Sequence, residues 1–191
     1  MTVLICAVAV SVIIPAGSSQ AGSGRDSDTW RRLHRPLHLP PGHVRCPVSA
    51  PAQASGFPVA LREQGTRLFG AGPVYLRLST ARGLAVLDMR FGRNLNDLRG
   101  HQTPWLVRPN YDGPLLIRAW RPDSSGKIMK IGIANEQRAE LRLPLSKFRA
   151  RSVAGGWHGF PSTTWVSGPG CRAWQIDGLT FSQTIVAYVR Y

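Results

Sequence analysis

The stretch WHGFPSTTWVSGPGCRAWQIDG, from Trp157 to Gly178, sets a histidine, a serine, a cysteine and an arginine close together along the chain. Gathered around one substrate, these residue types perform acyl transfer. The Cys171 thiolate attacks a carbonyl, the His158 imidazole takes the thiol proton, and backbone amides or Arg172 hold the developing oxyanion. The same residues have a structural reading, in which Cys171 sits in a disulfide on one of the closing strands of a β-sandwich.

The catalytic reading resembles the active-site signature of L,D-transpeptidases, secreted β-rich enzymes that remodel peptidoglycan. That signature is a His-Gly pair followed by Ser-x-Gly-Cys-x-Arg, and its counterparts here are His158, Gly159, Ser167, Gly170, Cys171 and Arg172. The resemblance implies Cys171 as nucleophile and His158 as its base. The spacing departs from it twice: Gly168 and Pro169 separate Ser167 from Gly170, and Arg172 follows Cys171 directly. On a strand, a one-residue slip turns a side chain to the opposite face. The helix that those enzymes place after the cysteine is replaced by the hairpin pattern AWQIDGLTFSQTIVAYV.

Among the six tryptophans, Trp105, Trp120 and Trp174 lie in apolar runs and belong to the core, whereas Trp157 and Trp165 flank a glycine-rich segment and are candidate platforms for sugar rings. His34, His38, His43 and Cys46 are spaced like metal ligands, but the proline-rich segment around them supplies no framework to fix a metal, so none is expected. Asp112 and Asp177 each precede a glycine and read as turn formers. Gly72, Gly83 and Gly92 form no phosphate-cradling pattern, and no cofactor is expected.

The chain carries 24 basic and 10 acidic residues, a formal charge of +14. That excess implies anionic neighbours, such as cell-envelope polymers or lipid headgroups. The arginines fall singly, as at Arg77, Arg82, Arg90, Arg118, Arg142 and Arg190. No basic stripe interleaved with aromatics appears, so no specific nucleic-acid partner is expected.

Residues 3 to 16, VLICAVAVSVIIPA, are uncharged, and Ser19 and Ala21 suit signal cleavage after Ala21. The run falls short of the roughly 20 residues that span a bilayer, so residues 1–21 read as a signal peptide and no permanent span is expected. The mature chain then keeps Cys46 and Cys171, an even count that outside the reducing cytosol favours one disulfide.

Residues 22–56, rich in Pro, Gly and Ser, read as an extended lead-in, and residues 57–191 as the folded domain. The domain shows strand patterns near 73–79, 84–90, 104–108, 114–121, 127–133, 138–145, 160–166, 171–177 and 180–190, separated by turn residues. PDSSG reads as a hairpin turn between the runs at 114 and 127, and Asp177-Gly178 as another. The segments GPVYLRL, PNYDGPLLIRAW and PGCRAWQIDG resemble those of uncharacterised secreted bacterial proteins with an immunoglobulin-like sandwich, which implies compartment and fold but no chemistry.

The expectation is an all-β, antiparallel β-sandwich, immunoglobulin-like or related, secreted or associated with the cell envelope. It would act as a non-enzymatic interaction or structural module. A cysteine transpeptidase using Cys171 and His158, and a carbohydrate-binding module using Trp157 and Trp165, are the alternatives.

Overall fold

The computed structural model describes residues 23–39, 46–53, 57–59, 66–123, 129–144 and 152–191; the expected signal segment 1–21 lies outside them. In chain order the elements are α1 (Ser23–Leu33), β1 (Thr66–Phe69), β2 (Val74–Ala81), β3 (Leu84–Asp88), β4 (Arg93–Leu95), β5 (Leu98–Gln102) and β6 (Trp105–Val107). They continue as β7 (Leu115–Trp120), β8 (Lys130–Gly132), β9 (Glu140–Leu143), β10 (His158–Phe160), β11 (Thr163–Val166), β12 (Gly170–Asp177) and β13 (Ser182–Arg190). The protein is an all-β sandwich preceded by the helix α1.

Period-two alternation gives the strands their two faces. In β7, Leu115, Ile117 and Ala119 enter the main core, together with Trp174 and Ile176 of β12 and Ile185 and Ala187 of β13. In β9, Leu141 and Leu143 are buried and Arg142 is exposed, so alternation prevails over the helical possibility, which Pro144 also disfavours.

One hydrogen-bonded path runs β10-β6-β2-β3-β13-β12-β7-β9, with β1 added on β2, and a second runs β4-β5-β11-β8. Leu76 pairs with both Phe69 of β1 and Trp105 of β6, while Ser79 pairs with both Thr66 of β1 and Val86 of β3. A strand has only two edges, so β6 and β3 share one edge of β2, which passes from the first to the second along its length. Among the described residues all strand pairings are antiparallel except that of β3 with β13, which is parallel and sets Arg190 beside Asp88.

The two paths are joined by a shared register. Trp105 pairs with Phe160 and Gln102 with Thr163, so Pro104 stands opposite Pro161. Neither proline has an N–H for the ladder, and the run expected as one strand over 160–166 is broken there. Thr103 and Ser162 close the gap: the Thr103 N–H donates to Ser162 O at 2.8 Å, and Ser162 Oγ donates to Thr103 O at 2.8 Å. The Trp105 indole donates to Ser162 Oγ at 2.9 Å, and that of Trp174, from the facing layer, donates to Thr164 Oγ1 at 3.2 Å. Buried hydroxyls and indoles thus satisfy one another across the sandwich.

Two local expectations are corrected. The lead-in is not extended throughout: residues 23–33 form α1, because the first proline after the signal segment is Pro36, and the helix anchors through Leu33, which is 1% exposed. The runs at 114 and 127 are not a hairpin either. β7 pairs with β12 and β9, while β8 pairs with β11 in the other path; residues 124–126 of the expected turn lie outside the described residues. The hairpin at Asp177-Gly178 does form, between β12 and β13, with the Gly178 N–H donating to Phe181 O at 3.0 Å.

Every residue of β12 is buried, because the lead-in covers its outer face. The Gln175 amide donates to Pro36 O at 2.9 Å and accepts from the His38 N–H at 2.8 Å. The Trp120 indole donates to Leu39 O at 2.7 Å, and the Ser49 N–H donates to Val186 O at 2.9 Å. The lead-in is therefore a layer of the fold rather than a loose tail.

Candidate functional site

Cys171 lies on the covered outer face of β12. It is 1% exposed and joined to Cys46 in a disulfide with the Cα atoms 5.5 Å apart. Its sulfur is therefore bonded, not a free thiol. His158 belongs to β10, and β6, β2, β3 and β13 intervene between it and β12 along the strand path. Sequence proximity is undone by the topology, which sends β10 and β12 to different parts of the sheet.

Arg172 points to the inner side of β12, one residue from Cys171 and on the opposite face. Its guanidinium, 1% exposed, donates to Cys171 O at 2.8 Å, Ser167 O at 3.1 Å and Gly168 O at 2.7 Å. It thereby ties down the Ser-Gly-Pro-Gly corner ahead of β12. Burial pushes its pKa down to about 10, with nearby Arg121 adding to the effect and Asp123 opposing it, so it stays charged at neutral pH. Ser167 contributes its carbonyl to this corner.

The two tryptophans expected to present a sugar-binding face are buried. Trp157, 4% exposed, packs with Phe57 at 5.5 Å and Tyr75 at 5.7 Å between ring centroids. Trp165, fully buried, lies against Gly100, its partner in the β5–β11 register, where a Cβ would come within 2.5 Å of the ring. The glycine-rich surroundings serve to seat these rings rather than to expose them. His34 and His38 help to dock the lead-in: His34 Nε2 is 3.6 Å from the Glu140 carboxylate, and His38 Nε2 is 3.1 Å from Ser182 Oγ. His43 lies outside the described residues.

A different set of residues converges at the end of β3. The Asp88 side chain, 5% exposed, receives Arg90 Nε at 3.0 Å and Nη2 at 2.6 Å, and Arg190 Nε at 3.1 Å and Nη2 at 2.8 Å. Hydrogen bonding from Arg90, with Arg190 beside it, holds the Asp88 carboxyl well below the usual carboxylate range against the opposing effect of burial. Asp88 Oδ1 also accepts from the Arg90 N–H and caps a short 3-10 turn, Met89–Phe91. Met89 is fully buried and anchors that turn, which leaves the Phe91 ring 80% exposed.

Three more contacts complete the surface. The Arg90 guanidinium lies 5.6 Å from the Phe91 ring centroid, that of Arg93 5.1 Å from Trp165, and that of Arg99 5.6 Å from Tyr191. Arg99 Nη2 also reaches Arg90 O at 3.5 Å, and Arg93 Nη2 donates to Ala134 O at 2.6 Å. Phe91, Arg93, Gly100, Gln102 and Thr163 line a shallow depression of about 210 Å³ in this face. The guanidiniums of Arg90, Arg93, Arg99 and Arg190 thus share a single bonded carboxylate among the described residues, that of Asp88. Such an arrangement can hold anions through charge-assisted hydrogen bonds.

Sequence reasoning missed this face because Arg190 is brought in from the far end of the chain by the parallel β3–β13 pairing. A local signal existed in MRFGRNLNDLR, where three arginines surround one phenylalanine in a glycine-broken, strand-poor run.

No family model and no curated protein matches this sequence. Among solved structures, the chain is similar to the crystal structure of the GAE domain of GGA2p from Saccharomyces cerevisiae, at 9% identity over 65% of this chain and 94% of that one, with a TM-score of 0.29.

Proposed function

We propose that the protein is a non-enzymatic binding module that works outside the reducing cytosol and holds an anionic polymer of the cell envelope on its Arg90–Arg93–Arg99–Arg190 face. The observation that carries this reading is the grouping of four arginines and two exposed aromatic rings, Phe91 and Tyr191, around one buried aspartate. Asp88 fixes two of the guanidiniums in place, which lowers the ordering cost of meeting a ligand.

The extracytoplasmic setting draws support from the Cys46–Cys171 disulfide and from the signal-like residues 1–21. No helix among the described residues is long and apolar enough to cross a membrane. Co-sedimentation with purified cell walls across a salt series tests the reading. Binding led by charge weakens steeply as salt rises; retention indifferent to salt would contradict it.

A further inference from the structure

We infer that the depression beside Phe91 is a subsite for one carboxylate-bearing sugar unit of an acidic polysaccharide. The inference deepens the proposed anion-binding role and rests on it. Its first support is the character of the walls. A site for phosphate alone needs cations and N–H donors, yet here an aromatic ring and two neutral polar side chains stand beside one guanidinium. A sugar acid matches each of them: the C–H face of its ring lies on Phe91, its carboxylate meets Arg93, and its hydroxyls reach Gln102 and Thr163.

The second support is independent of charge. Thr163 is 5% exposed and lines the depression, so its wall carries a nearly buried, neutral hydroxyl-bearing residue. A ligand hydroxyl entering the depression would find Thr163 on its wall. Arg93 is suitably placed as well, since among the described residues it spends only Nη2 on an acceptor and is braced against Trp165. The floor is Gly100, where any side chain would collide with Trp165. The volume of about 210 Å³ lies below the range of about 300–1,000 Å³ of sites that enclose a drug-sized ligand, which suits a single unit of a longer chain.

The test is calorimetric titration of the full chain with four probes: trigalacturonate, a neutral trisaccharide, inorganic polyphosphate and a single-stranded oligonucleotide. Phe91→Ala and Gln102→Ala are compared with the parent, because both side chains are exposed and their loss leaves the core intact. The expected result is that trigalacturonate binds and the neutral trisaccharide does not. Each substitution should weaken trigalacturonate by about tenfold, and Gln102→Ala should leave polyphosphate unchanged. Polyphosphate binding without trigalacturonate binding would overturn the subsite and leave the arginine face standing. Tighter binding of the oligonucleotide than of trigalacturonate, or equal losses for trigalacturonate and polyphosphate in Gln102→Ala, would also overturn it. If no anionic probe binds, the arginine face falls with the subsite.

Discussion

Asp88 and Arg190 stand side by side in the parallel pairing of β3 with β13, and the nearly buried carboxylate takes Arg190 Nη2 at 2.8 Å. With Arg90 on its other side, Asp88 is ionised more readily in the folded protein than in the unfolded chain. A depressed folded pKa contributes stability that is complete above the unfolded value, near 3.9, and is lost as the pH falls below it. Asp88→Asn should therefore cost about 1.5–3 kcal/mol at neutral pH, the range for hydrogen bonds to charged groups. It should also flatten the acid limb of the stability curve below about pH 4. Urea unfolding from pH 2 to 7 measures both; an acid limb as steep in the variant as in the parent would contradict the role of Asp88.

Asp177 is fully buried on the outer face of β12 and accepts from Arg118 Nη2 at 2.8 Å, and the same nitrogen donates to Arg35 O in the lead-in. Removing one partner of a buried ion pair costs about 3–5 kcal/mol. Asp177→Ala should lose stability on that scale and open residues 34–39 to proteolysis, read by the rate and position of limited cleavage.

The disulfide fixes the far end of the lead-in across a separation of 125 residues. Intact mass should show a two-proton deficit that reduction reverses. Replacing Cys46 and Cys171 together by serine should cost about 2–5 kcal/mol. The sandwich core should survive, since the buried cluster around Trp105 and Trp174 is built from residues between Phe69 and Val189, with Val48 of the lead-in packed only against its side.

Gly100→Ala would drive a Cβ to 2.5 Å from the Trp165 ring. Overpacking of this kind costs about 1–3 kcal/mol, and the displaced ring would disturb Arg93 above it. Thermal unfolding should show the loss, accompanied by a shift in tryptophan fluorescence.

The sandwich was legible from local patterns: Leu141 and Leu143 alternate in β9 and Leu115, Ile117 and Ala119 in β7, and each pattern lies within one strand. The Cys46–Cys171 pairing was legible from counting. What could not be read were relations set by pairing between distant strands. Pro161 separates β10 from β11 at the point where register places it opposite Pro104, which separates β5 from β6. Phe91 is exposed because Met89 is buried and Asp88 caps the turn between them. Trp157 and Trp165 looked available because glycines surround them, yet Gly100, far away in sequence, makes the room that buries Trp165. The catalytic appearance of His158, Cys171 and Arg172 failed for the same kind of reason. Alternation turns Arg172 away from Cys171, and topology removes His158 to another strand end.

The most direct test of the arginine face separates its position from its charge. Two variants lose the same three charges: Arg90→Gln, Arg93→Gln and Arg99→Gln in one, and Arg31→Gln, Arg82→Gln and Arg138→Gln, at exposed sites elsewhere, in the other. Affinity for an anionic wall polymer, measured at one fixed salt concentration, should fall by about tenfold or more in the first variant and change little in the second. Equal losses in the two would show that overall charge, and not the face around Asp88, holds the polymer.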